Sequence, residues 1–166
     1  KGQTDQEKYP PLPDEDAERQ MYERTEGILE EYGFHRYEIS NYAREGKECR
    51  HNLGYWSRVE YLGIGLGASS FISNTRYHLC TDMISYIERI GSGEDLREEI
   101  EVLTKEDAME EFMFLGLRMT QGISTAEFEE QFGKEIHAVY GGGLKKYKAV
   151  HLLREHSGRL ALTRDG

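Results

Sequence analysis

Between Tyr37 and Phe71 the chain reads YEISNYAREGKECRHNLGYWSRVEYLGIGLGASSF, and its glycines at 63, 65 and 67 alternate with isoleucine and leucine. A strand stripped of every second side chain leaves one face bare. Either a second backbone or a flat ligand can then approach closely, and the spacing alone suits both equally. The same span carries a His-Asn pair and the aromatics Tyr55 and Trp56, where an ordinary core would use mainly Val, Ile and Leu.

A chain of 166 residues is long enough to bury a core, as one domain or two small ones. The net charge of −10 is concentrated in residues 1–104, where 12 Lys/Arg face 21 Asp/Glu; residues 105–166 hold 9 against 10. Neither part is basic overall, so nucleic acid is not an expected partner. No apolar run approaches the length of a membrane span. The opening KGQTDQEKYPPLPDED lacks an apolar signal-peptide core, so the expected location is the cytoplasm. Cys49 and Cys80 are expected as free thiols and are too few to hold an iron–sulfur cluster.

Residues 1–13 carry all three prolines and read as an extended lead-in. Asp14 is the expected N-cap of a helix to about Tyr32, with Ala17, Met21, Ile28, Leu29 and Tyr32 on one stripe and Gly33 as its stop. Strands are expected over Phe34–Ser40, Tyr61–Phe71 and Thr75–Cys80, and a short helix from Asp82 to Ile90. The polar stretch around 92–103 reads as a linker. Beyond it, Thr104–Asp107 and Ser124–Glu127 match capping boxes at two helix starts. A third helix is expected over Ile136–Val150, with Gly141-Gly142-Gly143 weakening its middle. His151–Glu155 and Arg159–Thr163 then flank a hairpin turn at His156-Ser157-Gly158. Three helices and a hairpin form a winged-helix-like layout. The expected domains are therefore 14–91 and 104–166, joined by 92–103.

The glycine run fails the dinucleotide fingerprint, which needs G-x-G-x-x-G opening a helix, and no phosphate loop is present. His51 offers an imidazole that Asn52 could orient and beside which Tyr55 or Trp56 could stack on a macrocycle. A hydrogen-bonding corner beneath a sheet fits the same residues. His35, His78, His137, His151 and His156 have no partner at ligand spacing. Glu38, on the first expected strand, would point at something cationic or hydrogen-bonding, with Arg50, Arg58 and Arg76 as structural candidates.

Three segments, taken in order, resemble one family: Tyr37–Ala43, His51-Asn52-x-x-Tyr55-Trp56, and Tyr61-Leu62-Gly63-Ile64-Gly65-x-Gly67-Ala68-x-Ser70. The chain is similar to the oxygen-independent coproporphyrinogen III oxidase-like radical S-adenosylmethionine (SAM) proteins, and within them to the haem chaperone branch. Arg76, Tyr86-Ile87, Glu110, Leu115–Arg118 and Gly122-Ile123 continue the resemblance to Gly166. It implies an α/β fold, α+β in this portion: the last β/α units of a TIM-type barrel, then a mostly helical winged-helix-like domain. The family's C-x-x-x-C-x-x-C motif is absent, so the chain is expected to be a C-terminal portion that is inactive by itself. The resemblance implies a 4Fe–4S cluster, SAM and haem for the longer protein.

By the same resemblance, His51, Asn52, Tyr55 and Trp56 are haem- or porphyrin-binding, with haem iron at His51. The family's glycine strand reads GIGPGAHS; Leu66 and Ser69 replace its proline and histidine, leaving Gly65, Gly67 and Ala68 as cofactor-binding positions. Implied partners are haem or porphyrin and haem-accepting client proteins, with homodimerisation through uncovered barrel edges. The alternatives are a coproporphyrinogen III dehydrogenase of porphyrin biosynthesis and a non-enzymatic winged-helix module binding proteins or DNA. The latter would use Lys134, Lys145, Lys146, Lys148 and Arg154.

Overall fold

The computed structural model describes residues 12–166; most of the lead-in, residues 1–11, lies outside the described residues. The chain forms two compact units, one ending at Glu48 and one spanning Cys49–Gly166.

In the first unit, helix α1 (Glu15–Glu31) begins where the Asp14 side chain accepts a hydrogen bond from the Ala17 N–H at 2.8 Å. No α1 side chain is buried, and Ile28 and Tyr32 of its apolar stripe are 57% and 70% exposed. Strands β1 (His35–Arg36) and β2 (Tyr42–Ala43) pair antiparallel. The strand expected to Ser40 therefore stops after two residues. Glu38 is the reason: its carboxylate accepts from the Ser40 N–H at 2.8 Å and from Asn41 Nδ2 at 2.5 Å. That local turn reverses the chain and leaves Glu38 fully buried.

The second unit opens with α2 (Arg50–Trp56), followed by the glycine segment. Of the strand expected over Tyr61–Phe71 only the end, from Ser69, forms. Tyr61 and Phe71 pair with each other, N–H to O at 2.9 Å in both directions, so the chain doubles back between them. Gly65 and Gly67 adopt φ of +104° and +67°, a backbone that side-chain-bearing residues rarely tolerate, and this curls the segment. Strands β3 (Ser69–Ile72), β4 (Thr75–Leu79) and β5 (Arg97–Val102) form an antiparallel sheet in the order β3-β4-β5. Helix α3 (Met83–Ser92) bridges β4 and β5, and Asp82 caps it by accepting from the Ser85 N–H at 2.8 Å. The stretch read as a linker thus contains strand β5. Its charged sequence, REEIEV, suits an edge strand whose side chains reach water.

Helix α4 (Lys105–Gly116) carries a complete capping box between Thr104 and Asp107. A two-residue strand that the sequence reading missed, β6 (Ile123–Ser124), leads into α5 (Thr125–Phe132), where Ser124 Oγ accepts from the Glu127 N–H. Helix α6 (Ile136–Ala149) runs unbroken through its three glycines. Strands β7 (Leu153–His156) and β8 (Arg159–Leu162) form the hairpin, and β6 joins it in the order β6-β8-β7. The core gathers Met109, Ile123, Phe128, Phe132, Ile136, Leu144, Leu153 and Leu160. Phe112, Phe128 and Phe132 stack around one another with ring centroids 4.9–5.8 Å apart. Every strand pairing among the described residues is antiparallel. No helix among them is long and apolar enough to cross a membrane.

Candidate functional site

Helix α2 holds the whole His51–Trp56 motif, so helical spacing decides which of its side chains meet. His51 and Tyr55, four residues apart, share a face, and their rings touch edge-on at 4.6 Å. Tyr55 meets Tyr61 at 4.7 Å, and Tyr61 lies 6.5 Å from Phe71. A ladder of rings thus runs from exposed His51 to buried Phe71. Asn52 is half-buried one position along.

Trp56 is turned elsewhere. The Arg118 guanidinium stacks over its indole at 4.2 Å from the ring centroid. Its indole N–H is buried and meets no acceptor among the described residues. The structure therefore brings His51 and Tyr55 together and sends Trp56 toward the helices that follow.

Beneath the ladder lies an ionic cluster. Glu111 on α4 accepts from Arg58 Nε at 3.1 Å and from Arg76 Nη1 at 2.6 Å. Burial pushes the Glu111 carboxyl upward, but the hydrogen bonds from Arg76 and Arg58 outweigh it and leave it below its ordinary value of 4.5. Both guanidiniums also lie over Phe71, 5.3 and 5.4 Å from its ring centroid. Arg58 donates further to Asn74 Oδ1, and Asn74 Nδ2 to the Leu103 carbonyl. Two arginines suggested as partners for Glu38 thus serve Glu111, while Glu38 is held by its own turn.

The glycine positions divide the same way. Gly67 N–H donates to the Cys80 carbonyl, Ala68 N–H to the Gly65 carbonyl, and the Ala68 carbonyl accepts from Leu79 N–H. Gly67 and Ala68 thus tie the loop to β4. Gly65 has open space where a side chain would stand. Gly63 is the crowded one: a Cβ there would lie 2.2 Å from the Ser69 carbonyl oxygen, and its N–H donates to buried Ser70 Oγ at 3.0 Å. Sequence reasoning missed Tyr61, Arg58, Arg76 and Glu111 as neighbours of the motif. The aromatic at 61, just before the glycines, was the available signal.

A cavity of about 210 Å³ is lined by Tyr55, Trp56, Arg58, Tyr61, Phe71 and Glu111, and another of about 290 Å³ lies on the far side of Trp56. Both fall below the roughly 300–1,000 Å³ of ligand pockets. Among the described residues, no three His, Cys, Asp or Glu side chains gather as a metal site, and Cys49 is exposed while Cys80 is buried. These residues do not fit an iron–sulfur cluster.

Residues 103–166 match the family model described as the HemN C-terminal domain. The chain is 38% identical over 156 residues to the heme chaperone HemW of Bacillus subtilis (strain 168), covering 93% of this chain and 41% of that protein. It is 36% identical over 155 residues to HemW of Lactococcus lactis, with coverages of 93% and 40%. It is 32% identical to a mitochondrial radical S-adenosyl methionine domain-containing protein 1 of Danio rerio, covering 79% of this chain and 34% of that one. The chain thus spans about two fifths of the length of the first two relatives. The solved radical SAM coproporphyrinogen III oxidase HemN of Escherichia coli superposes with a TM-score of 0.73 at 15% identity, over 93% of this chain and 39% of that one. At that identity the likeness is one of fold.

Proposed function

From a chain that is related to the oxygen-independent coproporphyrinogen III oxidase-like radical SAM proteins, and to their haem chaperone branch, we propose a part in binding haem and passing it to client proteins. The observation that carries this reading is the α2 motif: exposed His51 and half-buried Tyr55 stand side by side on one helical face, at the positions resembling the branch's haem motif. In this reading the His51 imidazole meets haem iron and Tyr55 lies against the macrocycle, with Asn52 beside them. Trp56 holds α2 against Arg118 and enters the haem site only at its edge. Gly65, Gly67 and Ala68 form the cofactor-facing loop, with Gly65 the position left free for close approach.

The relatives' radical SAM character supports a 4Fe–4S cluster and SAM in the intact protein, supplied from outside the residues described here. Strands β3 and β4 and helix α3 then correspond to the end of a barrel within 14–91, and β5, paired with β4, falls in the 92–103 stretch. The order α4-β6-α5-α6-β7-β8 supports a winged-helix-like domain over 104–166, with 92–103 joining the two. A cytoplasmic location and self-association through uncovered edges belong to the same proposal. The alternative is a coproporphyrinogen III dehydrogenase of porphyrin biosynthesis; HemN, which shares the fold, is named a coproporphyrinogen III oxidase.

The test is a haem titration followed at the Soret band. His51→Ala is expected to shift the band and weaken binding by about tenfold, or about 1.4 kcal/mol. An unchanged spectrum and affinity would remove His51 from the proposal.

A further inference from the structure

The cavity of about 210 Å³ beside the ring ladder is too small for a macrocycle, but it has room for one substituent of a larger ligand. All of its lining falls within residues 55–115, inside the second unit. Its walls include the rings of Tyr55, Tyr61 and Phe71, and its charged groups are Arg58, Arg76 and Glu111. Tyr55 joins it to the α2 motif, with His51 edge-on at 4.6 Å on one side and Tyr61 at 4.7 Å on the other.

The charges lining this cavity do not balance. Arg58 and Arg76 share the single Glu111 carboxylate, which leaves one positive charge in excess. Asn74, the further acceptor for Arg58, is neutral. Glu101, opposite Arg76 in the β4-β5 register, is exposed and makes no ion pair with it. Uncompensated charge among aromatic walls is costly and favours an incoming anion. Only 4% of the Arg58 side chain is exposed, against 38% of that of Arg76, so Arg76 is the one that an arriving group can meet. Glu111 engages Nη1 of Arg76, and a guanidinium carries five N–H donors in a planar fork that matches a carboxylate. Trp56, also in the wall, keeps a buried indole N–H without an acceptor among the described residues. Excess positive charge and a spare donor both call for an anionic acceptor.

We propose that this cavity seats one carboxylate arm of the tetrapyrrole whose iron meets His51, with Arg76 as the charge partner and Glu111 holding its guanidinium in place. The call for a carboxylate comes from the cavity itself; its assignment to a tetrapyrrole rests on the function proposed above. Arg76 is then a specificity-determining residue, favouring a macrocycle with free carboxylates over a neutral one of the same shape.

The test titrates the full chain with haem and with haem dimethyl ester, in which both carboxylates are capped, each followed at the Soret band. The wild-type chain is expected to bind free haem about tenfold more tightly than the ester, the worth of one charge-assisted contact. Arg76→Gln is expected to abolish that difference by weakening haem alone, and to flatten the salt dependence of haem binding. The Soret position stays unchanged in this variant, because the iron contact is left intact. Arg76→Lys keeps the charge without the fork and is expected to recover part of the loss. Equal wild-type affinities for haem and ester overturn the proposal, as does an equal loss for both ligands in Arg76→Gln with native circular dichroism. Should Arg76→Gln fail to fold, the wild-type comparison decides by itself. A wild-type chain that binds neither ligand removes the proposed function and this inference together, whereas one that binds both alike removes only this inference.

Discussion

Arg58 Nε donates to Glu111 Oε2 across 3.1 Å and 53 positions of sequence, joining the second residue after α2 to the middle of α4. Only 4% of the Arg58 side chain and 10% of the Glu111 side chain are exposed, and Arg76 completes the cluster. Arg58 takes a left-handed backbone at φ +54° to make this contact. The end of α2 is thereby tied to α4 by a buried charge.

Removing that charge should be costly. Glu111→Ala leaves two guanidiniums without their shared carboxylate, and a loss of about 3 kcal/mol is expected, since breaking a buried pair from one side is the damaging case. Urea unfolding followed by circular dichroism measures it. A loss below about 1 kcal/mol, the range of an exposed pair, would show that water screens the cluster.

The same carboxylate sets an acid response. Its folded-state value is depressed, so its stabilisation is fully present above the ordinary value of 4.5 and is lost as pH falls from there through the lower folded-state value. Wild-type stability should therefore decline as pH drops below about 4.5, and Glu111→Gln should decline less over that window. Parallel denaturation curves at stepped pH compare the two, and identical slopes would contradict the assignment.

Gly63→Ala and Gly65→Ala separate packing from access in the glycine loop. At Gly63 the new Cβ meets the Ser69 carbonyl at 2.2 Å, and a loss of about 2–3 kcal/mol is expected. At Gly65 space is open and only the φ of +104° resists, so a loss of about 1 kcal/mol is expected. Melting temperatures in the reverse order would reject this division.

Gly141→Ala should stabilise the protein. The added methyl meets nothing within 4 Å, and alanine in a helix interior is favoured over glycine by about 1 kcal/mol. A rise of several degrees in Tm is expected, about 2–4 °C for a chain of this size.

Trp56 is the single tryptophan of the chain and gives a built-in reporter. Haem on the adjacent His51–Tyr55 face should quench its emission, with the same midpoint as the Soret change. Saturated haem with undiminished Trp56 emission would move the haem away from α2.

Much of the local architecture could be read from the residues alone. Asp14, Asp82, Thr104 and Ser124 each cap a helix through a bond spanning three positions, so the information is carried within a few neighbours. The hairpin at Ser157-Gly158 is encoded just as locally. Even the division of the α2 motif follows from helical spacing, once that segment is known to be a helix.

Other features depended on partners far along the chain. The strand read across Tyr61–Phe71 became a doubled-back loop because Tyr61 found Phe71 and the intervening glycines could turn. The charged stretch read as a linker gained a strand because β4 offered a free edge. Arg58 and Arg76 chose Glu111, leaving Glu38 to its own turn, through proximity that no nearby spacing announces. Short-range bonds and periodicity act within a turn or two of chain, and the sequence by itself determined those. Which buried charge is shared and which glycine is crowded depend on three-dimensional packing, and only the tertiary structure decided them.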